Sequence, residues 1–335
     1  MTSLILVSLF IYRFGSIRPG PRTLESYEVR QKIFWDYKRP EHSESSFIFL
    51  EPQKPLLDYL ARVNSDDGIQ SVPSAKGIEL KDLARVESVV RGFPAEVKDL
   101  FSKKLVGVSL VSGLGSSAFS SSIFGRDGEV IGGFVVLDVS VLRKKSNEWF
   151  TWRERSPFNC PEKIGIKALI SDGKDNDDGV RYIFLHELAH VYSFNENLHP
   201  QWFETPDLAR LSNTSFAPLS WTVVDGKYRE IFGATSVVKS RVHYYADENR
   251  LPCSQVERIY ENLAKTNFPA LYASLSPVED FGESFANYIH TVVLNRPFEI
   301  QIEPDSKEIY SSCWHEKRCA TKSAFFSKLL RRPSM

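Results

Sequence analysis

Val180-Arg181-Tyr182-Ile183-Phe184-Leu185-His186-Glu187-Leu188-Ala189-His190-Val191-Tyr192 is the stretch on which the reading of this chain turns. It reads as a buried helix, apolar over most of its surface, with one polar seam made by His186, Glu187 and His190. Positions i and i+4 of a helix lie one above the other, so the two imidazoles converge on one point. Two imidazoles so placed can hold one zinc ion, and Glu187, beside the first, can reach a water bound to that ion. The pattern is H-E-x-x-H.

Three fixed residues of this kind arise by chance in roughly one chain in a hundred at ordinary composition and this length. The motif, which zinc metallopeptidases carry, therefore does not stand alone. The bland alternative is a helix with two half-buried histidines and a surface glutamate. Its apolar flanks count against that, because burying two histidines and a carboxylate without partners is costly. A third ligand decides more.

A second stretch offers one. Ser276-Pro277-Val278-Glu279-Asp280-Phe281-Gly282-Glu283-Ser284-Phe285 opens with an N-cap serine and a proline at the first helical position. Glu279 stands three residues after Ser276, as in a capping box, where its carboxylate would fold back on its own backbone. It also stands four residues before Glu283, on the same face. Two stacked carboxylates repel unless a cation or histidines sit between them.

Together the two stretches resemble the gluzincin class of metallopeptidases, in which a helix bearing H-E-x-x-H meets a second helix bearing a glutamate ligand. Within that class, residues 272–285 are similar to the Y-x6-E-x-F-[AG]-E-x-F segment of the anthrax lethal factor, Pro-Pro endopeptidase and MtfA-like group. The resemblance covers these two segments only. By matching position it implies Glu279 as the third zinc ligand and Tyr272 as a phenol that assists at the substrate carbonyl. It implies Glu283 as a carboxylate supporting a ligating histidine, with Gly282 as the small residue that allows close helix packing. It further implies an α+β fold: a zincin-like domain with an active-site helix, a mixed sheet with an edge strand, and a helical C-terminal part. One zinc ion per chain and a peptide or protein substrate go with it.

The chemistry of the residues agrees. Zinc held by two His and one Glu keeps a fourth position for water, the arrangement of a catalytic site. Such water becomes a usable nucleophile near neutral pH, and zinc also polarises the scissile carbonyl. Glu187 would take the water's proton and pass it to the leaving amine. Tyr272 would donate to the developing oxyanion. Glu283 would accept the far N–H of His186 or His190 and fix its tautomer. His243, Tyr244 and Tyr245 form a rival donor cluster, for which core packing is the plainer reading. The edge strand expected to bind peptide is 130–137, Val-Ile-Gly-Gly-Phe-Val-Val-Leu, where Gly132 and Gly133 would let a backbone come close.

The rest of the 335 residues sets the frame. Charge is balanced, 42 basic against 42 acidic residues, so nothing global points to nucleic acid or an anionic membrane surface. Residues 4–12 are an apolar run too short to span a bilayer comfortably, and Arg13, Arg18 and Arg22 lie on the wrong side of it for a secretory leader. Residues 1–22 are read as an apolar leader or anchor, with export or membrane anchoring and association with a membrane through this segment as the expectation. Residues 23–103 read as a mainly helical N-terminal region and 104–335 as the catalytic domain. The glycines at 113 and 115 read as a structural turn, followed by a serine-rich turn; 164–170 reads as a helix. Asp177 and Asp178 favour the N-terminus of the motif helix. Of four cysteines, Cys313 and Cys319 are spaced to close a small disulfide loop.

Two other function classes compete. A non-catalytic module could use zinc to hold two helices together and bind a partner, and would have no use for Glu187. A SprT-like protease acting at DNA expects a histidine as third ligand and basic patches; the basic tail at 317–332 reads equally as a solvated terminal helix.

Overall fold

The β-branched run at 130–138 forms the middle of a four-stranded sheet. In the computed structural model, which describes residues 27–36, 48–161, 165–173, 177–202, 204–233, 242–245 and 250–331, its strands are β1 (Ile48–Leu50), β2 (Leu105–Val111), β3 (Ala118–Phe124) and β4 (Val130–Asp138). The order is β1-β2-β4-β3; β1 and β4 run parallel to β2, and β3 runs antiparallel to β4. The leader or anchor at 1–22 lies outside the described residues.

Residues 130–137 are therefore an interior strand and not the expected edge. Burial on both faces is what made the run so strongly apolar. Val135 and Leu137 join Val108 and Leu110 in the main core, while Phe134 and Val136 join Val111 and Ile123 in a second cluster on the opposite face. Gly132 and Gly133 make room for the protein itself: a Cβ at Gly132 would lie 2.2 Å from the Lys104 carbonyl oxygen, and one at Gly133 would lie 2.7 Å from that of Ser121 and 2.8 Å from the Phe194 ring.

The outer strands are β1 and β3, the second from the stretch read as a serine-rich turn. Serine is favoured in turns, but these hydroxyls have partners in a strand: Ser121 shares a hydrogen bond with the Tyr59 hydroxyl (2.8 Å), and the Ser122 hydroxyl accepts from Arg30. The Ser122 carbonyl also accepts from Arg30 Nε (3.1 Å), so its backbone faces away from β4. By the two-residue period Ala118 and Ser120 share that outward row.

Seven further strands lie among the described residues: β5 (Phe158–Asn159), β6 (Gly165–Leu169), β7 (Trp221–Val224), β8 (Lys227–Glu230), β9 (Leu251–Pro252), β10 (Glu299–Glu303) and β11 (Lys307–Ser311). β6 corrects the helix expected at 164–170. Ile166, Ala168 and Ile170 are buried and Lys167 and Leu169 less so, a period of two that pairing with β10 settles. The order in that sheet is β11-β10-β6.

The motif helix, Asp178–Ser193, packs against β3 and β4 on the main-core face of the first sheet. The opposite face is covered by the helix Lys54–Asp66 through Leu56, Tyr59 and Leu60, with Val29 and Trp35 from the N-terminal segment. Packing continues across residue 103: the helices Leu80–Arg91 and Ala95–Phe101 sit in the same core as the motif helix, with Phe93 stacked on Phe184 at 6.0 Å. Asp177 lies at the start of the motif helix, bound to Arg85 Nε at 2.7 Å.

The glutamate helix, Pro277–Tyr288, lies directly against the motif helix. Its other side meets the terminal helix, Ala320–Leu330, which is packed and not a solvated tail: Lys322 and Phe326 are fully buried. Lys322 Nζ donates to Asp280 Oδ1 at 2.5 Å, and Trp221 and Ser284 also donate to that carboxylate. Burial draws the Lys322 pKa down against the pull of Asp280.

The Cys313–Cys319 disulfide is formed as the spacing suggested, and Cys160 pairs with Cys253, 93 residues away. No described helix is long and apolar enough to cross a membrane.

Candidate metal centre

His186 and His190 emerge from the motif helix one turn apart, with side chains 12% exposed. Opposite them stands Glu279 in the first turn of the glutamate helix. Half of the capping box is present: Ser276 Oγ accepts from the Glu279 N–H at 3.1 Å. The Glu279 carboxylate does not fold back to complete it. Its Oε2 lies 3.2 Å from His186 Nε2 and 3.7 Å from His190 Nε2, and the two Nε2 atoms are 3.0 Å apart. Gly282 permits this approach, since a Cβ there would lie 2.8 Å from His190 Cε1 and 3.2 Å from His186 Cε1.

Glu283, one turn on, faces His186 Nδ1 at 3.2 Å. A carboxylate there calls for a proton on Nδ1 and leaves the Nε2 lone pair for the cluster in the neutral ring. Glu283 is held from the other side by Arg153 Nη2 (2.5 Å) and Nη1 (3.3 Å) and by the Tyr182 hydroxyl (2.7 Å). Burial pushes the Glu283 carboxyl up, but the Arg153 charge and the contacts with His186 outweigh it and bring the pKa to about 2. Glu279 is likewise pushed up by burial and held well below the usual carboxylate range by the two histidines. For His186, burial favours the neutral ring, yet Glu279 and Glu283 together raise it to about 10.

His186 Nε2, His190 Nε2 and a Glu279 oxygen lie within 4.8 Å of one another. Glu279 Oε2 is buried with no hydrogen-bond partner of good geometry, although His186 is near. Two imidazole nitrogens and one carboxylate oxygen facing a common point are the donor set of an open zinc site. These residues fit the ion.

Glu187 is buried on the same helix and has no ion pair or hydrogen bond among the described residues. Tyr272 stands on the short turn Tyr272–Ser274, half-buried, its ring 5.7 Å from that of His186 and 4.8 Å from that of Tyr244. In the rival cluster the Tyr244 hydroxyl is committed elsewhere, donating to Glu154 Oε2 (3.1 Å), and the Tyr245 backbone N–H donates to Ser156 Oγ (3.0 Å).

The sequence reading missed Arg153 and Glu154. Both are buried on the helix Ser146–Arg155, joined at 2.9 Å, and Glu154 also accepts from Tyr260 (2.8 Å). Trp149 and Phe150 pack beneath the Arg153 guanidinium at 5.5 and 5.2 Å. Nothing local announced Arg153, which is 130 residues from Glu283. Tyr182 was legible: Tyr182, His186 and His190 form one stripe at i, i+4 and i+8. His199 was also missed. It is buried, donates from Nδ1 to the Pro200 carbonyl (2.9 Å) and is drawn down by burial to about 4.

The chain matches no protein-family model, no curated protein and no solved structure.

Two outcomes follow from the contacts. Gly282→Ala places a methyl group against both imidazoles, and metal affinity should fall on the order of 10-fold or more, the scale for disturbed ligand orientation; chelator competition measures it. In the metal-free protein, the raised His186 pKa makes its charged form a source of stability that is fully present below about 6.5 and lost as pH rises through about 10. A metal must displace that proton, so apparent affinity should rise with pH, by up to about tenfold per unit between roughly pH 7 and 9. Titrations that show no such rise would contradict the geometry of His186.

Proposed function

We propose that this protein is a zinc-dependent peptidase with a zincin-like catalytic domain of the gluzincin type. The observation that carries the reading is the convergence of His186, His190 and Glu279 beside Glu187, a carboxylate with no other partner among the described residues. Glu283 cannot serve as the base, because Arg153, Tyr182 and His186 already occupy it.

Zinc held by the three ligands would supply a Lewis acid for a peptide carbonyl and make water acidic enough to attack near neutral pH. Glu187 would accept a proton from that water and return it to the leaving amine. The Tyr272 phenol, beside His186, is the candidate donor to the developing oxyanion. Glu283 fixes the His186 tautomer, and Arg153 fixes Glu283.

In this reading the substrate edge is β3 and not the interior strand β4: β3 lies against the motif helix, and in its outward row, Ala118, Ser120 and Ser122, the Ser122 carbonyl is held by Arg30 and the next position, Phe124, is bridged by Gln31, which leaves the part around Ser120 for a peptide. An extended peptide would add there as a further strand. Bonding of all four cysteines supports the export reading; free thiols on the isolated protein would count against it. The alternative, a zinc-stabilised module that only binds a partner, shares the metal and not the need for Glu187. The SprT-like reading loses support, since the third member of the cluster is a carboxylate.

Purified protein should hold about one zinc per chain, and Glu279→Gln should weaken it. Glu187→Gln should keep the metal and lower peptide turnover roughly 10²- to 10⁴-fold; unchanged turnover with zinc in place would leave the binding module as the better reading. Ser120→Pro deletes an outward N–H from β3 and should raise KM for peptides while zinc content stays the same. Equal KM values would remove β3 as the substrate edge.

A further inference from the structure

A line of hydrogen bonds runs from the Cys313–Cys319 loop to the metal centre. Trp314 Nε1–H donates to Asn287 Oδ1 at 2.7 Å, and Asn287 Nδ2–H donates to the Tyr182 hydroxyl at 3.4 Å. The Tyr182 O–H donates to Glu283 Oε1 at 2.7 Å, and Glu283 Oε2 faces His186 Nδ1 at 3.2 Å. The directions are fixed by chemistry. Indole N–H is donor only, so the Asn287 oxygen must face it and the amide nitrogen must face Tyr182. Each donor thus points along the line towards one carboxylate.

The line is dry. Trp314 is 6% exposed, and Asn287 and Glu283 are 0% exposed, as is Tyr182. In such surroundings aligned hydrogen bonds polarise one another, and a break is felt along the row. The far end is anchored twice: the indole packs against Tyr288 at 5.1 Å and Phe326 at 5.9 Å, and a disulfide closes the loop that carries it.

We propose that Trp314 is a remote positioning residue of the metal centre, which acts through Asn287 and Tyr182 on the Glu283 carboxylate that orients His186, and that the Cys313–Cys319 bond keeps it in place. The proposal rests on the zinc reading above. Because Arg153 holds Glu283 independently, loss of Trp314 loosens the centre without dismantling it.

The test is a double-mutant cycle on the full chain, read as zinc affinity by chelator competition. Trp314→Phe keeps an aromatic ring between Tyr288 and Phe326 and removes the N–H; Tyr182→Phe removes the hydroxyl next to Glu283. Trp314→Phe alone should weaken zinc about 3- to 10-fold, less than the 10- to 100-fold typical of a ligand's direct partner. In the Tyr182→Phe background it should change affinity by less than about 2-fold, since the line is already cut. The paired variant Cys313→Ser, Cys319→Ser should behave like Trp314→Phe in both backgrounds, and it decides the matter if Trp314→Phe does not fold by circular dichroism. Equal losses in both backgrounds would mean a general structural effect and would overturn the proposal, as would no loss at all. Wild-type protein that binds no zinc would overturn the metal reading itself; wild-type binding matched by Trp314→Phe would overturn only the relay.

Discussion

The structure depends on keeping charge buried. Arg153, Glu154, Glu283 and His186 lie in a region that water scarcely reaches, and removing one member of a buried pair typically costs about 3–5 kcal/mol. Such charges persist only if the surroundings supply every partner. Arg153 answers two carboxylates, Tyr244 and Tyr260 answer Glu154, and Tyr182 answers Glu283. The aromatic rings around the guanidinium, those of Trp149, Phe150, Tyr182 and Tyr272, exclude water while offering their negative faces to it. The glutamate helix repeats the arrangement on its other side, where Asp280 meets Lys322. That one helix presents Glu279 and Glu283 to the motif helix and Asp280 to the terminal helix, so its rotation about its own axis is fixed from two directions.

This rigidity bears on the chemistry. A group that must hold an ion gains from ligands whose orientation is settled beforehand, because less freedom is lost on binding. His186 is so settled, by a carboxylate that is itself clamped. Glu187 and Tyr272 differ: the first has no fixed partner among the described residues, and the second rests against rings. The proposed peptidase chemistry calls for such fixed supports beside a base that can meet a substrate and shift protons. A module built only to bind, the competing proposal, gives Glu187 no task.

What could be read in the sequence is what the period of one helix encodes. His186 and His190, Glu279 and Glu283, and the small residue at Gly282 are neighbours by local geometry, and their meeting followed from chemistry. Cys313 and Cys319 are six apart and needed no fold to be paired. The strand expected at 130–137 was found and its place mistaken, for a physical reason: the apolar run that marks a strong strand marks one covered on both faces, and the outer strand β3 is serine-rich because its hydroxyls find partners in Tyr59 and Arg30. Residues 165–169 misled because a short apolar segment fits both periods until a neighbouring strand selects one. Arg153 and the pairing of Cys160 with Cys253 were out of reach, since only the folded chain brings such distant positions together.

The Cys160–Cys253 bond makes a closed covalent circuit of the chain between its ends. His186, Glu187 and His190 belong to that circuit, while Glu279 and Tyr272 reach the centre from outside it. A single backbone cut anywhere between residues 160 and 253 would open the peptide chain without separating its parts, and both histidines would stay tethered to the molecule. Being one polypeptide and being one covalent object are therefore distinct properties of this protein, and under oxidising conditions a nick in this stretch would leave its apparent size almost unchanged.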